Sequence, residues 1–261
     1  MIGAIAGDII GSIYEHHPIK TKEFPLFKPK CRFTDDTVLT IAVAYAILEQ
    51  IDYAAALKKF GQKYPDAGYG SSFFNWIFAS ETCPYHSWGN GAAMRVSPVG
   101  FAFSDAEHVL NEAMRSAGVS HNHPEGIKGA QAAALAVFLA HHGKSKDNIR
   151  HEMEQRFGYN LQRTIDNIRP VYHFDVYCQG TVPEAIIAFL DSGDYVDTVR
   201  NAISLGGDSD TLACIAGGIA EVFYHEIPDD ILKTVISVLP EEFVDIIKKF
   251  NSAYGLTYLN V

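Results

Sequence analysis

Helical periodicity runs through most of this 261-residue chain, and signals for β-strands are almost absent. Apolar residues recur at helical spacing in one segment after another, which is typical of helices that bury one face. The one Asn-Gly pair, Asn90-Gly91, lies among small residues rather than between alternating apolar runs, so it predicts no β-hairpin. Because no linker-rich segment divides the chain, the pattern predicts a single all-α domain over residues 1–261, built from about a dozen helices.

The composition is that of an ordinary soluble globular protein, with 48% hydrophobic and 20% charged residues. No apolar run reaches the roughly 18 residues that a membrane-spanning helix needs, so no membrane partner is expected. The formal net charge of −10 argues against nucleic acid as a partner, because nucleic-acid binders usually present a basic face.

The N-terminal segment and the cysteines bear on location. Residues 1–8 lack the basic region of a secretory signal and include the acidic Asp8. The four cysteines have no paired metal-ligand spacing, which favours reduced thiols. A cytoplasmic protein is therefore expected, and the lack of an exposed apolar stripe in the sequence pattern favours a monomer.

A compact group of acids, glycines and hydroxyls, Gly206-Gly207-Asp208-Ser209-Asp210-Thr211, precedes a run of small and apolar residues from 212 to 223. The run predicts a buried helix, so Asp208 and Asp210 should lie on the loop and first turn that open it. Glycine lets the backbone approach its neighbours closely, and Ser, Thr and Asp are common helix caps. A well-capped helix start is therefore one interpretation of this segment.

A matching acidic cluster, Thr34-Asp35-Asp36, opens a second predicted helix, in which Thr34 or Asp35 serves as the cap. Carboxylate and hydroxyl oxygens are the ligands that hard divalent cations prefer. If the two helix starts meet, they could hold two cations roughly 3.5–4 Å apart. Two clusters of the same kind favour a two-metal site over simple capping, since so many carboxylates would otherwise repel one another.

A glycine loop with the residues Gly89-Asn90-Gly91-Ala92-Ala93 precedes Met94 and Arg95. It predicts a tight turn that opens a helix, and its backbone N–H groups form a candidate anion site. A turn imposed by packing is the competing interpretation, and Arg95 is interpreted as a structural ion-pair partner. His121 and His123 are candidates for ligand contacts but not for zinc, because no thiolate or third histidine accompanies them.

Further segments carry local predictions about helix starts and the core. The segments Ser104-Asp105-Ala106-Glu107 and Thr181-Val182-Pro183-Glu184 each have the spacing of a capping box at a helix start. Residues 73–78 are so apolar that they are assigned to the core. Pro124 suits the first position of a long alanine-rich helix that ends near Gly143.

Five motifs in order along the chain resemble those of the ADP-ribosylglycohydrolases, the relatives of dinitrogenase reductase-activating glycohydrolase. They are Gly7-Asp8 with Gly11 and Tyr14-Glu15, Phe33-Thr34-Asp35-Asp36-Thr37, Gly89-Asn90-Gly91-Ala92-Ala93-Met94-Arg95, Ser120-His121, and Gly206-Gly207-Asp208-Ser209-Asp210-Thr211. The resemblance extends from the first residues to about residue 230. It implies an all-α domain of orthogonally packed helices and a site that holds two divalent cations, Mg²⁺ or Mn²⁺.

The resemblance also implies roles for individual residues. The metal ligands would be Thr34, Asp35, Asp36, Asp208, Asp210 and Thr211. Glu15 matches the family's catalytic acidic residue, with its action as acid or as base left open. The positions that hold ADP-ribose correspond to Asn90, Gly91, Ala92, Met94 and His121, and no aromatic residue is assigned to the adenine.

The implied activity is metal-dependent hydrolysis of the glycosidic bond between ADP-ribose and an acceptor. The acceptor would be an arginine or serine side chain of a protein, or a small ADP-ribosylated molecule, and the transition state should resemble an oxocarbenium ion. Two other functions stay open: a non-catalytic ADP-ribose-binding or structural relative, and a two-metal phosphohydrolase. Retention of Glu15 and of all six metal positions favours the enzyme. The loops at 16–32 and 64–90 are expected to govern acceptor choice.

Overall fold

A computed structural model describes residues 1–256, so residues 257–261 of the predicted domain lie outside the described part. Within that part the chain forms fourteen α-helices, a short 3₁₀ helix at Asn90–Ala92 and no strand. The α-helices are α1 (Ile2–Gly11), α2 (Asp35–Glu49), α3 (Tyr53–Lys63), α4 (Ser71–Phe78), α5 (Ser97–Ala102), α6 (Ala106–Gly118), α7 (Pro124–His141), α8 (Lys146–Phe157), α9 (Ile165–Ile168), α10 (Cys178–Leu190), α11 (Tyr195–Ser204), α12 (Ser209–Tyr224), α13 (Asp229–Val238) and α14 (Glu241–Tyr254). The prediction of an all-α fold is confirmed, while the assignment of one domain stays a prediction. Between residues 1 and 256 no helix is long and apolar enough to cross a membrane.

The core is built around α12, the helix that follows the second acidic cluster. Every residue of α12 from Ser209 to Val222 is buried, which confirms the prediction of a buried helix. Small and apolar side chains let α12 pack against α1, α10 and α11 at once. The helix ends at His225, whose backbone adopts a left-handed conformation with φ of 54°.

Glycines in α1 let that helix lie directly against α12. A Cβ atom at Gly7 would lie 2.1 Å from the carbonyl oxygen of Ala213, and one at Gly11 would lie 2.5 Å from that of Ser209. Glycine costs about 1 kcal/mol relative to alanine inside a helix, so this close contact explains why α1 contains several. The contact brings the C-terminal end of α1 beside the first turn of α12.

The helices α2 and α7 carry or flank the other candidate site residues. The side chain of Thr34 accepts a hydrogen bond from the N–H of Asp36 at 3.3 Å, so Thr34 rather than Asp35 is the cap of α2. The helix α7 begins at Pro124, as predicted. His121 lies in the short connection between α6 and α7.

The capping box predicted at Ser104 is wrong by one residue. Asp105 is the cap of α6, and its Oδ1 accepts a hydrogen bond from the N–H of His108 at 2.9 Å. A serine cap at position 104 would have accepted from the N–H of Glu107, so the shift of the cap by one residue also shifts the backbone donor by one.

The capping box predicted at Thr181 is also wrong, because α10 begins at Cys178 and Pro183 lies inside the helix. The hydroxyl of Thr181 donates to the carbonyl oxygen of Asp175 at 3.1 Å. The side chain of Glu184 forms an ion pair with Arg163 at 2.6 Å. Both side chains thus have tertiary partners that replace the expected local ones.

The apolar segment 73–78 belongs to the core only in part. In α4, Phe73, Trp76 and Ile77 are buried, whereas Phe74 and Phe78 are 40% and 51% exposed. The helix has one buried face and one face toward solvent, so the assignment of the whole segment to the core is wrong.

Candidate active site

One cleft, with a volume of about 710 Å³, receives side chains from both acidic clusters and from the glycine loop. Eleven of the twelve predicted site residues line it: Glu15, Thr34, Asp35, Asp36, Asn90, Gly91, Met94, His121, Asp208, Asp210 and Thr211. The exception is Ala92, which is fully buried in the 3₁₀ helix. The fold therefore brings together residues that lie far apart in the sequence.

The start of α2 is held by Asp8, a fully buried carboxylate of α1 that received no role from the sequence pattern. Asp8 accepts hydrogen bonds from the N–H groups of Thr34 at 3.0 Å and Thr37 at 3.1 Å. It also accepts from the hydroxyl of Thr34 at 2.7 Å and from the hydroxyl of Thr37. Burial raises the pKa of Asp8 to about 6, although these hydrogen bonds act in the opposite direction. The available signal was a lone acid within an apolar, glycine-rich helix.

The start of α12 is arranged differently. Gly206 has a left-handed backbone with φ of 65°, and a Cβ atom at Gly207 would lie 2.4 Å from the ring of Tyr172. Asp208 occupies the cap position but makes no side-chain cap hydrogen bond. Its Oδ2 instead accepts a hydrogen bond from Nδ2 of Asn90 at 2.7 Å. Capping alone therefore does not explain Asp208.

The two acidic clusters meet at Thr211 and Asp36. The hydroxyl of Thr211 lies 3.4 Å from Oδ1 of Asp36. The other oxygen of Asp36, Oδ2, is buried and has no hydrogen-bond partner within residues 1–256. Asp210 Oδ1 accepts a hydrogen bond from the N–H of Thr211 at 3.0 Å. The two helix starts therefore present carboxylate and hydroxyl oxygens to the same place.

Burial and mutual repulsion raise the pKa values of these carboxyls. The pKa of Asp35 rises to about 8, chiefly through burial and then through the charges of Asp8 and Asp208. Burial, followed by the charges of neighbouring aspartates, also holds the pKa values of Asp36 and Asp210 well above their usual range. A bound cation would relieve this repulsion, because it stabilises the charged form of each carboxyl.

The donor chemistry of the cleft fits a hard divalent cation. Carboxylate and hydroxyl oxygens are its preferred ligands, and Oδ2 of Asp36 is a buried oxygen without a partner among the described residues. In the part of the chain that the structure describes, no three His, Cys, Asp or Glu side chains form a group that could hold a metal ion. The predicted ligand set would add the hydroxyls of Thr34 and Thr211 to the carboxylates that line the cleft.

Glu15 lies just beyond the end of α1 and lines the same cleft. Its side chain is 29% exposed, and its Oε2 lies 3.5 Å from Nε2 of His16. Burial, and then the charge of Asp208, raise the pKa of Glu15 above its usual value. A carboxyl with a raised pKa at the edge of a cleft is suited to proton transfer near neutral pH.

The glycine loop is attached to the segment that leads into α10. The N–H of Asn90 donates to the carbonyl oxygen of Val176 at 2.8 Å, and Nδ2 of Asn90 also donates to the hydroxyl of Thr181 at 3.2 Å. The loop itself forms the 3₁₀ helix, and the next α-helix begins only at Ser97. The prediction of a turn that opens directly into a helix is therefore wrong, since Met94 lies in the connection between them.

Arg95 is fully buried, yet no acidic side chain among residues 1–256 pairs with it. Its Nη2 donates to the carbonyl oxygen of Ser116 at 2.9 Å and to the hydroxyl of Ser120 at 3.0 Å. Burial lowers the pKa of Arg95 to about 10 and lowers that of the neighbouring His121 well below its usual value. The interpretation of Arg95 as an ion-pair partner is wrong.

Exposed apolar side chains form a rim beside the cleft. The rings of Trp88 and Tyr177 stack with their centroids 5.5 Å apart, and these residues are 41% and 48% exposed. Val176, which also lines the cleft, is 41% exposed. These side chains form a local exposed patch, so the expectation that no apolar stripe is exposed and the monomeric state that it favoured both stay predictions. The sequence signal that could have found the rim was an aromatic residue directly before the glycine loop.

Known proteins share this architecture. A solved structure described as an "ADP-ribosylglycohydrolase-related protein complex" superimposes with a TM-score of 0.75 and 22% sequence identity, covering 98% of this chain and 95% of that one. "ADP-ribosylhydrolase ARH3" of Homo sapiens is 28% identical over 86% of this chain and 84% of its own length. "ADP-ribosylarginine hydrolase Tri1" of Pseudomonas putida is 26% identical over 60% of this chain and 41% of its own length.

The chain shares its all-helical fold with the solved ADP-ribosylglycohydrolase-related structure. The family model for ADP-ribosylglycohydrolase matches residues 1–256. This chain belongs to the ADP-ribosylglycohydrolase family. The family and these relatives support an ADP-ribosyl hydrolase activity, with an ADP-ribosylated substrate as partner.

Proposed function

We propose that this chain is a metal-dependent hydrolase that cleaves the glycosidic bond between ADP-ribose and an acceptor. The acceptor is a protein arginine or serine side chain, or a small ADP-ribosylated molecule. One observation carries the proposal: the starts of α2 and α12 meet in a single cleft that Glu15 and the glycine loop also line. A phosphate-binding loop, a proton-transfer group and clustered oxygen ligands are the parts that such a reaction needs.

Two divalent cations, Mg²⁺ or Mn²⁺, would be held by Thr34, Asp35, Asp36, Asp208, Asp210 and Thr211. When bound, such cations orient sugar hydroxyls and polarise a water molecule. The raised pKa values of Asp35, Asp36 and Asp210 support this role. Without cations these carboxyls have no counter-charge, and bound cations would supply it. Asp8 supports the site without being a ligand in this proposal, since its oxygens are already engaged by Thr34 and Thr37.

Glu15 moves the proton in the proposed reaction. As a base it would take a proton from the attacking water, and as an acid it would give one to the departing acceptor. Burial and the charge of Asp208 raise its pKa, which makes the carboxylate a stronger base and also keeps more of the carboxyl protonated for action as an acid. The bond that breaks joins the anomeric carbon of the ribose to the acceptor, and the hydrogen and hydroxyl of water complete the two products.

The rest of the ADP-ribose would extend from the acidic helix starts toward the glycine loop. Asn90, Gly91, Ala92, Met94 and His121 would hold the diphosphate and its neighbouring ribose, with Ala92 acting through its backbone because its side chain is fully buried. The exposed rings of Trp88 and Tyr177 offer a flat surface on which a purine can stack. Contacts remote from the breaking bond position the reacting carbon.

A hydrolysis panel tests the proposal. Arginine-, serine- and acetyl-linked ADP-ribose would be incubated with the protein in Mg²⁺, in Mn²⁺ or in EDTA, and released ADP-ribose would be measured by mass spectrometry. We expect metal-dependent release from at least one linkage, and a loss of about 100-fold or more in Glu15→Gln, because removing a general acid or base has effects of that size. Asp210→Asn should have a similar effect. Release that is equal with and without metal, or unchanged in both variants, contradicts the proposal.

A non-catalytic ADP-ribose-binding protein is the second candidate. It would use the same cleft and glycine loop but would need neither the cations nor proton transfer by Glu15. ADP-ribose that binds by calorimetry without turnover on any linkage in the panel would support it. Release of phosphate with an intact glycosidic bond would instead indicate a phosphohydrolase.

A further inference from the structure

The buried guanidinium of Arg95 is unusual because no acidic side chain among residues 1–256 neutralises it, although the ring of Phe73 lies against it with its centroid 5.7 Å from Cζ. Its Nε and Nη1 atoms are buried and have no hydrogen-bond partner among residues 1–256. Burying a charge without a partner is costly, so a purely structural role explains it only in part. The contact of Nη2 with the carbonyl oxygen of Ser116, near the C-terminal end of α6, is one favourable interaction for a cation. The second contact of Nη2 leads to the cleft.

That second contact continues through Ser120 to His121. The hydroxyl oxygen of Ser120 accepts from Nη2 of Arg95 at 3.0 Å and lies 2.8 Å from Nδ1 of His121. Ser120 is fully buried, so its own hydroxyl proton needs an acceptor. In the described part of the chain that acceptor is Nδ1 of His121. If Nδ1 carried a proton instead, the serine proton would be buried without a partner.

The other ring nitrogen of His121 faces the glycine loop. A Cβ atom at Gly91 would lie 3.2 Å from Nε2 of His121, and one at Gly89 would lie 3.7 Å from it. Glycine at these positions therefore leaves the space in front of Nε2 free of side chains. His121 is almost fully buried but lines the cleft, so Nε2 can meet a ligand that lies against the loop.

We propose that Arg95 and Ser120 are positioning residues that hold His121 as the neutral tautomer with its proton on Nε2, so that Nε2–H donates to an anionic oxygen of the ligand at the glycine loop. The hydrogen bond from Nε2–H to the ligand, which is the ligand half of this inference, rests on the proposed function. The tautomer of His121 does not. Burial and the charge of Arg95 both lower the pKa of His121, which agrees with a neutral ring. A hydrogen bond to the neutral ring at Nδ1 determines which nitrogen is free to donate.

The test measures the tautomer and the affinity separately. The two histidine tautomers are distinguished by long-range ¹H–¹⁵N correlation spectra of the ¹⁵N-histidine-labelled protein, recorded without ligand, and ADP-ribose affinity is measured by calorimetry. In the unaltered protein we expect the Nε2–H pattern for His121. In Ser120→Ala we expect loss of that pattern and a rise in the Kd for ADP-ribose of about 5- to 10-fold, the size of one hydrogen bond.

Ser116→Ala is the matched control. The hydroxyl of Ser116 is also buried and lies one helical turn earlier, but it has no hydrogen-bond partner in residues 1–256. The bond to Arg95 uses the backbone carbonyl, which this substitution keeps. Ser116→Ala should therefore leave the tautomer and the affinity unchanged. This control distinguishes a general packing effect near the end of α6 from the loss of the Ser120 hydroxyl.

Two results would overturn the inference. One is an Nδ1–H pattern for His121 in the unaltered protein. It contradicts the proposed tautomer even if the Ser120→Ala protein does not fold. The other is a folded Ser120→Ala protein with unchanged tautomer and unchanged affinity. If the unaltered protein shows Nε2–H but binds no ADP-ribose, the ligand half and the proposed function both fail, while the positioning of His121 stands.

Discussion

The starts of α2 and α12 carry similar residues but are held in place in different ways. The start of α2 is bonded to the core, because Asp8 of α1 receives four hydrogen bonds from Thr34 and Thr37. The start of α12 is bonded to the cleft, because Asp208 makes no cap hydrogen bond and accepts one from Asn90 of the glycine loop.

Because of this difference, substitutions at the start of α2 and at the start of α12 should have different effects. At α2 the arrangement of acids comes from the same hydrogen bonds that fix the helix start, so disturbing it should affect folding. At α12 the carboxylate is coupled to the loop proposed to hold the substrate, so disturbing it should affect binding with little effect on folding. Substitutions at the two positions can separate these expectations.

The largest effect on stability is expected for Asp8→Asn. Asparagine replaces one of the two acceptor oxygens of Asp8 with an NH₂ donor. Even in the orientation that keeps the oxygen accepting three hydrogen bonds, the hydroxyl of Thr34 loses its acceptor and faces the buried NH₂ group. We expect the free energy of unfolding to fall by about 2–4 kcal/mol, measured by urea denaturation at pH 7 in EDTA. Asp208→Asn should change it by less than about 1 kcal/mol, since it also removes one charge from a crowded cluster.

Asp245→Asn serves as the control for that pair, because Asp245 is exposed on α14. It should leave the free energy of unfolding unchanged. Equal losses for Asp8→Asn and Asp208→Asn would show that the two helix starts do not differ in the way described.

The same comparison explains which parts could be predicted from the sequence. Thr34, Asp35, Asp36, Asp208 and Asp210 are recognisable because each cluster directly precedes a long apolar run, and local spacing is enough to place them at helix starts. Helical periodicity likewise made the all-α fold predictable. These features depend on neighbours within one or two turns.

Features that depend on tertiary partners were not predictable. The partners of Asp8 lie 26 and 29 residues further along the chain, and no local pattern joins them. The cap expected at Thr181 failed because α10 begins at Cys178, so Thr181 lies inside the helix rather than at its start. The exposure of Trp88 and Tyr177 depends on how two segments meet at the edge of the cleft.

The second prediction concerns pH and the metal-free protein. The pKa values of Asp8 and Asp35 are raised to about 6 and about 8 in the folded state, against about 3.9 in an unfolded chain. The folded state therefore binds more protons, so the stability that these groups contribute is complete below about pH 4 and is lost as pH rises through 6 and then 8. Each carboxyl contributes a slope of up to about 1.4 kcal/mol per pH unit.

Urea denaturation at several pH values between about 5 and 9, in EDTA, measures this slope. Asp35→Asn should flatten the curve between about pH 6 and pH 8, because over that range Asp35 is protonated in the folded state and ionised in the unfolded state. Adding Mn²⁺ should reduce the loss of stability if the acids bind cations. Stability that increases over this range in EDTA would show that the carboxyls do not repel one another as described.

The smallest effect is expected for Asn90→Ala, which tests only how the start of α12 is connected to the glycine loop. Removing the amide takes away the hydrogen bond from Nδ2 to Asp208 and the link between the glycine loop and α12. We expect the Kd for ADP-ribose to rise about 3- to 10-fold, the size of one hydrogen bond to a charged or neutral acceptor, with a change in unfolding free energy near zero. Thr181→Val is the matched control, because it keeps the bond from Asn90 to Asp208. It removes the weaker contact of Nδ2 at 3.2 Å and the bond from the Thr181 hydroxyl to the carbonyl oxygen of Asp175. If Thr181→Val weakens binding as much as Asn90→Ala does, the bond to Asp208 is not what connects the loop to the acidic helix start.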